Sequence, residues 1–192
     1  MDDLARRPLA DVLDAVGAPT PAPGGGSSSA LVCALAAGLV EMAAGIGGPA
    51  EAAERARALR ARALGLAEEE LGSYAPVLEA RRLPRDDPGR KTAMEEALER
   101  ASRSPLAVAE AAAEVASLGL VVAEGANAAV RGDAVAGVLL AEAAAVAAAQ
   151  LVEVNLAAQP DSPALAAARR ARDVAEGVRR DSLAAGAAGQ SR

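Results

Sequence analysis

Residues 133–158 read DAVAGVLLAEAAAVAAAQLVEVNLAA, from Asp133 to Ala158. Val135, Val138, Leu139, Leu140, Val146, Leu151, Val152, Val154 and Leu156 follow helical spacing there and leave no broad polar face on a wheel of about 100° per residue. A helix apolar on nearly every side must be covered on nearly every side. In a chain of 192 residues that predicts a helical bundle, with part of the surface covered by a second subunit. The Ala and Gly at so many contact positions predict helix axes near the lower end of the usual range of about 8–10 Å.

The composition agrees with that reading. Of the 192 residues 55 are Ala, the best helix former, while the aromatic residues that strands favour amount to one Tyr, no Phe and no Trp. The expected architecture is therefore all-α: one domain over residues 1–192, a bundle of about six helices that dimerises through its helices. Working outward, Gly and Pro separate helices at about 9–16, 27–46, 49–81 (bent at Pro76), 92–102, 106–123 and 133–158. A last helix runs from Pro163 to about Leu183, with 184–192 expected to be a disordered tail. A hydroxyl of Ser27 or Ser28 is expected to cap the second helix, and Asp133 to cap the helix that it opens.

Several functions are excluded by what the chain lacks. With no His and one Cys, the ligands of zinc, haem and di-iron bundle sites are missing, as are the Ser-His-Asp and Cys-His nucleophile systems. A net charge of −6 and a pI near 4.8 argue against DNA or an anionic membrane as partner, and one Tyr cannot build a base-stacking platform. The start, Met1-Asp2-Asp3-Leu4-Ala5-Arg6-Arg7, lacks the basic and apolar regions of a secretory signal, and the lone Cys33 cannot form an internal disulfide. Both point to the cytoplasm. The apolar run Ala30–Ile46 is interrupted by Glu41 and built mainly of Ala and Gly, so it is not read as a membrane span.

Three features carry chemical potential. In Pro21-Ala22-Pro23-Gly24-Gly25-Gly26-Ser27, three residues without Cβ precede a helix start, where free N–H groups and the dipole favour an anion or a ligand pressed on bare backbone. A tight loop with a cap explains it as well. In Glu68-Glu69-Glu70, the wheel sets Glu70 among Leu59, Ala63, Leu66, Ser73, Tyr74 and Val77, within about 60° of one line, and puts Glu68 and Glu69 outside. A carboxylate on an apolar stripe must be paired, protonated or functional, and Tyr74 stands one turn later on the same face. A buried Glu–Arg pair is the plainer alternative. Third come Asn127 and Asp133, flanking a predicted helix start, and Asn155 inside the apolar run Val154-Asn155-Leu156; a cap and a satisfied core amide are their ordinary readings. Cys33 reads as a small core residue.

Taken together these residues resemble the cyclodeaminase/cyclohydrolase family, found as the C-terminal domain of formiminotransferase-cyclodeaminase and as stand-alone bacterial proteins. Pro21-Ala22-Pro23-Gly24-Gly25-Gly26-Ser27 matches its Pro-x-Pro-Gly-Gly-Gly-Ser signature. Tyr74 with Leu83-Pro84-Arg85 is similar to its Asp-Ala-x-Ala-Tyr and Leu-Pro-Lys, with Glu70 in place of that Asp. Asn127 and Asp133 keep the separation of its Gly-Asn and Ser-Asp, and Val154-Asn155-Leu156 is similar to its Ile-Asn-Leu. The resemblance spans about Leu9 to Leu156.

The resemblance implies an all-helical enzyme, a dimer or larger, that acts on tetrahydrofolate carrying a one-carbon unit. It either closes 5-formiminotetrahydrofolate to 5,10-methenyltetrahydrofolate with loss of ammonia, a lyase-type reaction, or hydrates the methenyl compound to 10-formyltetrahydrofolate, a hydrolase-type one. Glu70 is then the expected acid–base group and Asp133 a second catalytic carboxylate that stabilises the methenyl cation. Pro23, Gly24, Gly25, Gly26, Ser27, Tyr74, Arg85, Asn127 and Asn155 are the expected substrate contacts, with the loop glycines or Arg85 receiving the anionic glutamate tail. No metal or redox cofactor is expected. The departures, Glu70 for Asp, Ala126 for Gly and Gly132 for Ser, keep open a degenerate homologue that binds folate or serves as a helical interaction module.

Overall fold

Glycine and proline set many of the helix boundaries. In the computed structural model, which describes residues 4–189, a 3-10 turn at Leu4–Arg6 precedes α1 (Leu9–Gly17), α2 (Gly25–Gly47), α3 (Ala50–Ser73) and α4 (Ala75–Arg82). There follow α5 (Arg90–Ala101), α6 (Arg103–Gly125), α7 (Ala128–Asn155) and α8 (Pro163–Gly189). None of the described residues lies in a strand, and the all-α class stands.

The helices differ from expectation at four places, each with a local cause. The helix expected over 49–81 is two, because Pro76 fits only the first turn of α4 and Tyr74 ends one helix while it starts the next. α2 begins at Gly25 with no side-chain cap. Ser28 and Ser29 donate instead to the carbonyls of Gly24 and Gly25, and Ser27 to that of Ala67, so the expected hydroxyl cap is absent. α7 begins at Ala128 rather than at Asp133, since Asn127 accepts from the Ala129 N–H at 2.9 Å and caps it. α8 runs on to Gly189, as the Ala-rich sequence allows despite Gly186. Residues 184–189 are thus helical, and the rest of the expected tail, 190–192, lies outside the described residues.

The core is made of α2, α6 and α7. α7 packs on α2, α6 and α8, and α2 also packs on α3. Val40 of α2 reaches Gly119 of α6 and Gly137 of α7: a Cβ built at Gly137 would stand 2.9 Å from Val40 Cγ2, and one at Gly119 2.8 Å from Val138 Cγ2. These contacts put glycines where the helices meet, with no room for a Cβ at either position. Glu41, the one charge in α2, turns to α3 and pairs with Arg57 and Arg60, each at 2.8 Å. The Arg60 and then the Arg57 hydrogen bonds hold its carboxyl below the usual range. Glu153 pairs likewise with Arg169 and Arg172 to join α7 to α8. A small second cluster, Val77, Ala80, Ala97 and Ala101, seals α4 on α5.

By length and composition alone Gly25–Gly47, Arg90–Gly125 and Ala128–Asn155 are long and apolar enough to cross a membrane. The first of them contains the apolar run Ala30–Ile46. The apolar windows of the three are 44%, 56% and 44% buried within the fold.

Gly137→Ala should lower the melting temperature: the new methyl meets Val40 and, at 3.1 Å, the Ala36 carbonyl. Such overpacking costs about 1–3 kcal/mol against about 1 kcal/mol gained in helix propensity. Gly65→Ala in α3, where no atom lies within 4 Å, gains propensity alone and should raise it. Thermal unfolding of the two variants checks this, and shifts of the same sign would refute the close approach.

Candidate functional site

The start of α2, the end of α3, the start of α6 and the end of α7 enclose a cavity of about 330 Å³. Gly24, Gly25 and Gly26 form one wall, with Pro21 and Ala22 at its edge; Glu70, Leu71, Ser73, Tyr74, Ala75 and Leu78 come from the α3–α4 corner. Ala101 and Pro105 close a third side, and Leu151 with Asn155 a fourth. The lining holds one carboxyl, one phenol and no cation.

α2 has no side-chain cap, so the N–H groups of its first turn have no acceptor within the helix and the positive end of its dipole lies at the cavity wall. Glu70 presses its carboxylate on this turn, and a Cβ at Gly26 would overlap it. A side chain there would have to displace the carboxylate. The Glu70 Oε2 atom is buried with no hydrogen-bond partner, and among the described residues Glu70 makes no ion pair. The plain alternative of a Glu–Arg pair is not what the chain builds. Burial pushes the Glu70 carboxyl above the ordinary carboxylate range, against the smaller opposing influences of the Ser104 and Ser73 hydroxyls. Glu68 accepts the Leu4 N–H at 2.7 Å and Glu69 is exposed, so the wheel separated the three acids correctly.

Six of the expected site residues meet here: Gly24, Gly25, Gly26, Glu70, Tyr74 and Asn155. Pro23, joined to Ala22 by a cis peptide, and Ser27 are buried beside the cavity rather than in its lining. Arg85 is exposed on the α4–α5 loop. Asn127 and Asp133 stand apart. The Asn127 amide lies against Gly47 at the far end of α2, and a helix of 23 residues is about 34 Å long. Within one chain those two residues cannot share the Glu70 cavity. Leu151, Pro105 and Ser104 were not foreseen; Leu151 stands one turn before Asn155 on α7, a signal that could have found it.

Cys33 is buried in the core and its thiol is pushed up to about 12 by desolvation, so it carries no thiolate. No group of three His, Cys, Asp or Glu side chains among the described residues is placed to hold a metal ion.

Comparison with known proteins supplies the family. Residues 8–173 match the family model described as formiminotransferase-cyclodeaminase. The chain belongs to this family. No curated protein matches it. Among solved structures it is similar to formiminotetrahydrofolate cyclodeaminase from Thermotoga maritima, with a TM-score of 0.82 and 22% identity over 93% of this chain and 95% of that one. That likeness is one of fold.

The buried acid makes a prediction about stability. Because the folded pKa of Glu70 is raised above its unfolded value of 4.5, the folded state holds this proton more tightly. Stability is therefore lost as pH rises from the unfolded towards the folded pKa, and above both the ionised carboxylate burdens the fold. Glu70→Gln should match the parent below about pH 4 and melt slightly higher at neutral pH. A loss of about 3–5 kcal/mol instead would mean that a buried ion pair had been broken.

Proposed function

We propose that this protein is a folate-dependent one-carbon enzyme with Glu70 as its acid–base group. Its substrate is 5-formiminotetrahydrofolate or 5,10-methenyltetrahydrofolate. The observation that carries this is the half-buried Glu70 carboxyl, whose Oε2 atom is buried without a partner in a cavity whose lining holds no cation. A group of that kind, with its pKa raised by burial, suits proton transfer near neutral pH. Family membership supplies the substrate class, and the T. maritima relative bears the name of the first activity.

Ring closure needs N10 to attack the formimino carbon, lose its proton and expel the formimino nitrogen as ammonia. The formimino group enters protonated, as C=NH2+; Glu70 as carboxylate takes the N10 proton and as acid passes it to the resulting amino nitrogen, which leaves as ammonia while the positive charge stays on the methenyl ring. In the hydration reaction Glu70 takes a proton from the water that attacks the methenyl carbon and passes it to N5 as the bond from that carbon to N5 breaks, while the remaining hydroxyl proton goes to solvent as the formyl C=O forms. The methenyl ring is a cation, and a lining with an acid but no base is suited to it. Tyr74 and Asn155 are the aromatic and amide contacts available to the pterin, and the glycine wall lets a flat ring approach the backbone. The anionic glutamate tail is assigned to the exposed Arg85. No metal or redox cofactor takes part in this scheme.

We also propose a two-fold homodimer working in the cytoplasm, without membrane or nucleic-acid partners. Leu35 and Ile46 are each 61% exposed on the outer face of α2, with Met42 between them, and Val154 of α7 is 64% exposed. With Glu41 turned to α3, no charge lies on that face of α2. An antiparallel pairing of two such faces sets the start of α2 in one copy beside the end of α2 in the other. That is the route by which Asn127 and Asp133 of a second copy reach a Glu70 cavity.

Glu70→Gln should cut turnover of the methenyl or formimino compound by at least about a hundredfold, read by the methenyl absorbance, while Glu68→Gln and Glu69→Gln stay near the parent. If the parent turns over neither compound at high enzyme concentration, the folate-binding or interaction module is the surviving reading. Leu35→Glu combined with Ile46→Glu should give monomers in sedimentation at micromolar concentration; a parent that is itself monomeric there rules the dimer out.

A further inference from the structure

The hydroxyls of Ser28, Ser29, Ser102 and Ser117 each donate to the carbonyl four residues back, the usual way for a helical serine to satisfy itself. Ser104, in the first turn of α6, does not. Its Oγ is buried without a hydrogen-bond partner, and the one other buried side-chain oxygen in that condition among the described residues is Glu70 Oε2. Leaving either atom unsatisfied costs stability, so two such atoms together need a reason. Both lie where α3 packs on α6: Pro105, the residue after Ser104, lines the same cavity as Glu70, and the Ser104 hydroxyl opposes the rise of the Glu70 carboxyl more than that of Ser73 does. Ser73 is already committed to the Glu70 carbonyl at 3.0 Å. Ser104 is uncommitted.

We propose that Ser104 is a positioning residue for Glu70: its hydroxyl donates to Oε2 of the carboxylate and accepts from the same oxygen when the acid is protonated. A hydroxyl is both donor and acceptor, so one partner serves both states and the carboxyl keeps one orientation while its proton comes and goes. An amide or a guanidinium would not do this, since the former must turn over and the latter only donates. Ser104 sits where this is possible because Pro105, itself in the cavity wall, fixes the first turn of α6 against α3. The inference rests on Glu70 being the acid–base group of the reaction proposed above.

The test is the titration of the Glu70 carboxyl, followed by carbon NMR in the unliganded protein and assigned with Glu70→Gln, in the parent, Ser104→Ala and Ser104→Thr. A donor to the ionised form favours it, so its loss in Ser104→Ala should move the midpoint up, and Ser104→Thr, which keeps the hydroxyl, should restore it. The turnover profile should move the same way, with kcat down about tenfold in Ser104→Ala and KM little changed. An unmoved midpoint in Ser104→Ala overturns the proposal, and so does a midpoint that rises equally in the Thr variant, which would make the effect one of packing. If the midpoint moves and the turnover profile does not follow it, the contact is real and Glu70 is not the reacting group.

Discussion

The carboxylate of Glu70 occupies the space that a side chain at Gly26 would fill. α3 brings its acid on to the first turn of α2 at Gly26, where no Cβ stands in the way, and the rest of the cavity follows from the meeting. The same turn has no side-chain cap, so its N–H groups remain unspent at the cavity wall, where the helix dipole opposes part of the cost of burying the charge. Further along, Val40 meets Gly119 and Gly137, which fixes α2 against α6 and α7 and so holds the far walls in place. Glycine thus does two different jobs around α2: access for a reactive group at its start, where α3 meets it, and close packing at its middle, where α6 and α7 do.

What could be read in the sequence was what depends on periodicity. The bundle followed from the apolar run of 133–158, and Glu70 was separated from Glu68 and Glu69 by angle alone. Both signals are local and repeat over several turns. The boundaries that were missed depend on single hydrogen bonds. Asn127 rather than Asp133 caps α7, and Ser27, Ser28 and Ser29 turn to carbonyls rather than to the helix start, choices that the residue types leave equally open. Long-range partners were harder still. Nothing in Arg103-Ser104-Pro105 announces that α6 starts beside Glu70, because that contact exists only once α3 and α6 have packed.

The separation of Asn127 and Asp133 from Glu70 shows how a motif can be present in order along a chain and still be split in space. A helix of 28 residues carries Asn127 at one end and Asn155 at the other, about 42 Å apart. Sequence order says nothing about which end a residue serves. The uncharged outer face of α2 runs between those ends, and the molecule leaves it bare.

A buried acid without a partner is a burden that a folded protein carries only where something else removes it. In the Glu70 cavity no Lys or Arg does so, and Ser104 and Ser73 offset it only in part. A cationic ring bound beside the carboxylate would. By linkage, a cation that favours the ionised acid is itself favoured by it, so proton release from Glu70 and retention of a positively charged ligand would reinforce one another. The neutral acid left after proton uptake has no such hold. The lining therefore discriminates between charge states of one ligand by means of a single residue, and an added arginine, which would satisfy Glu70 permanently, would remove that discrimination while making the protein more stable.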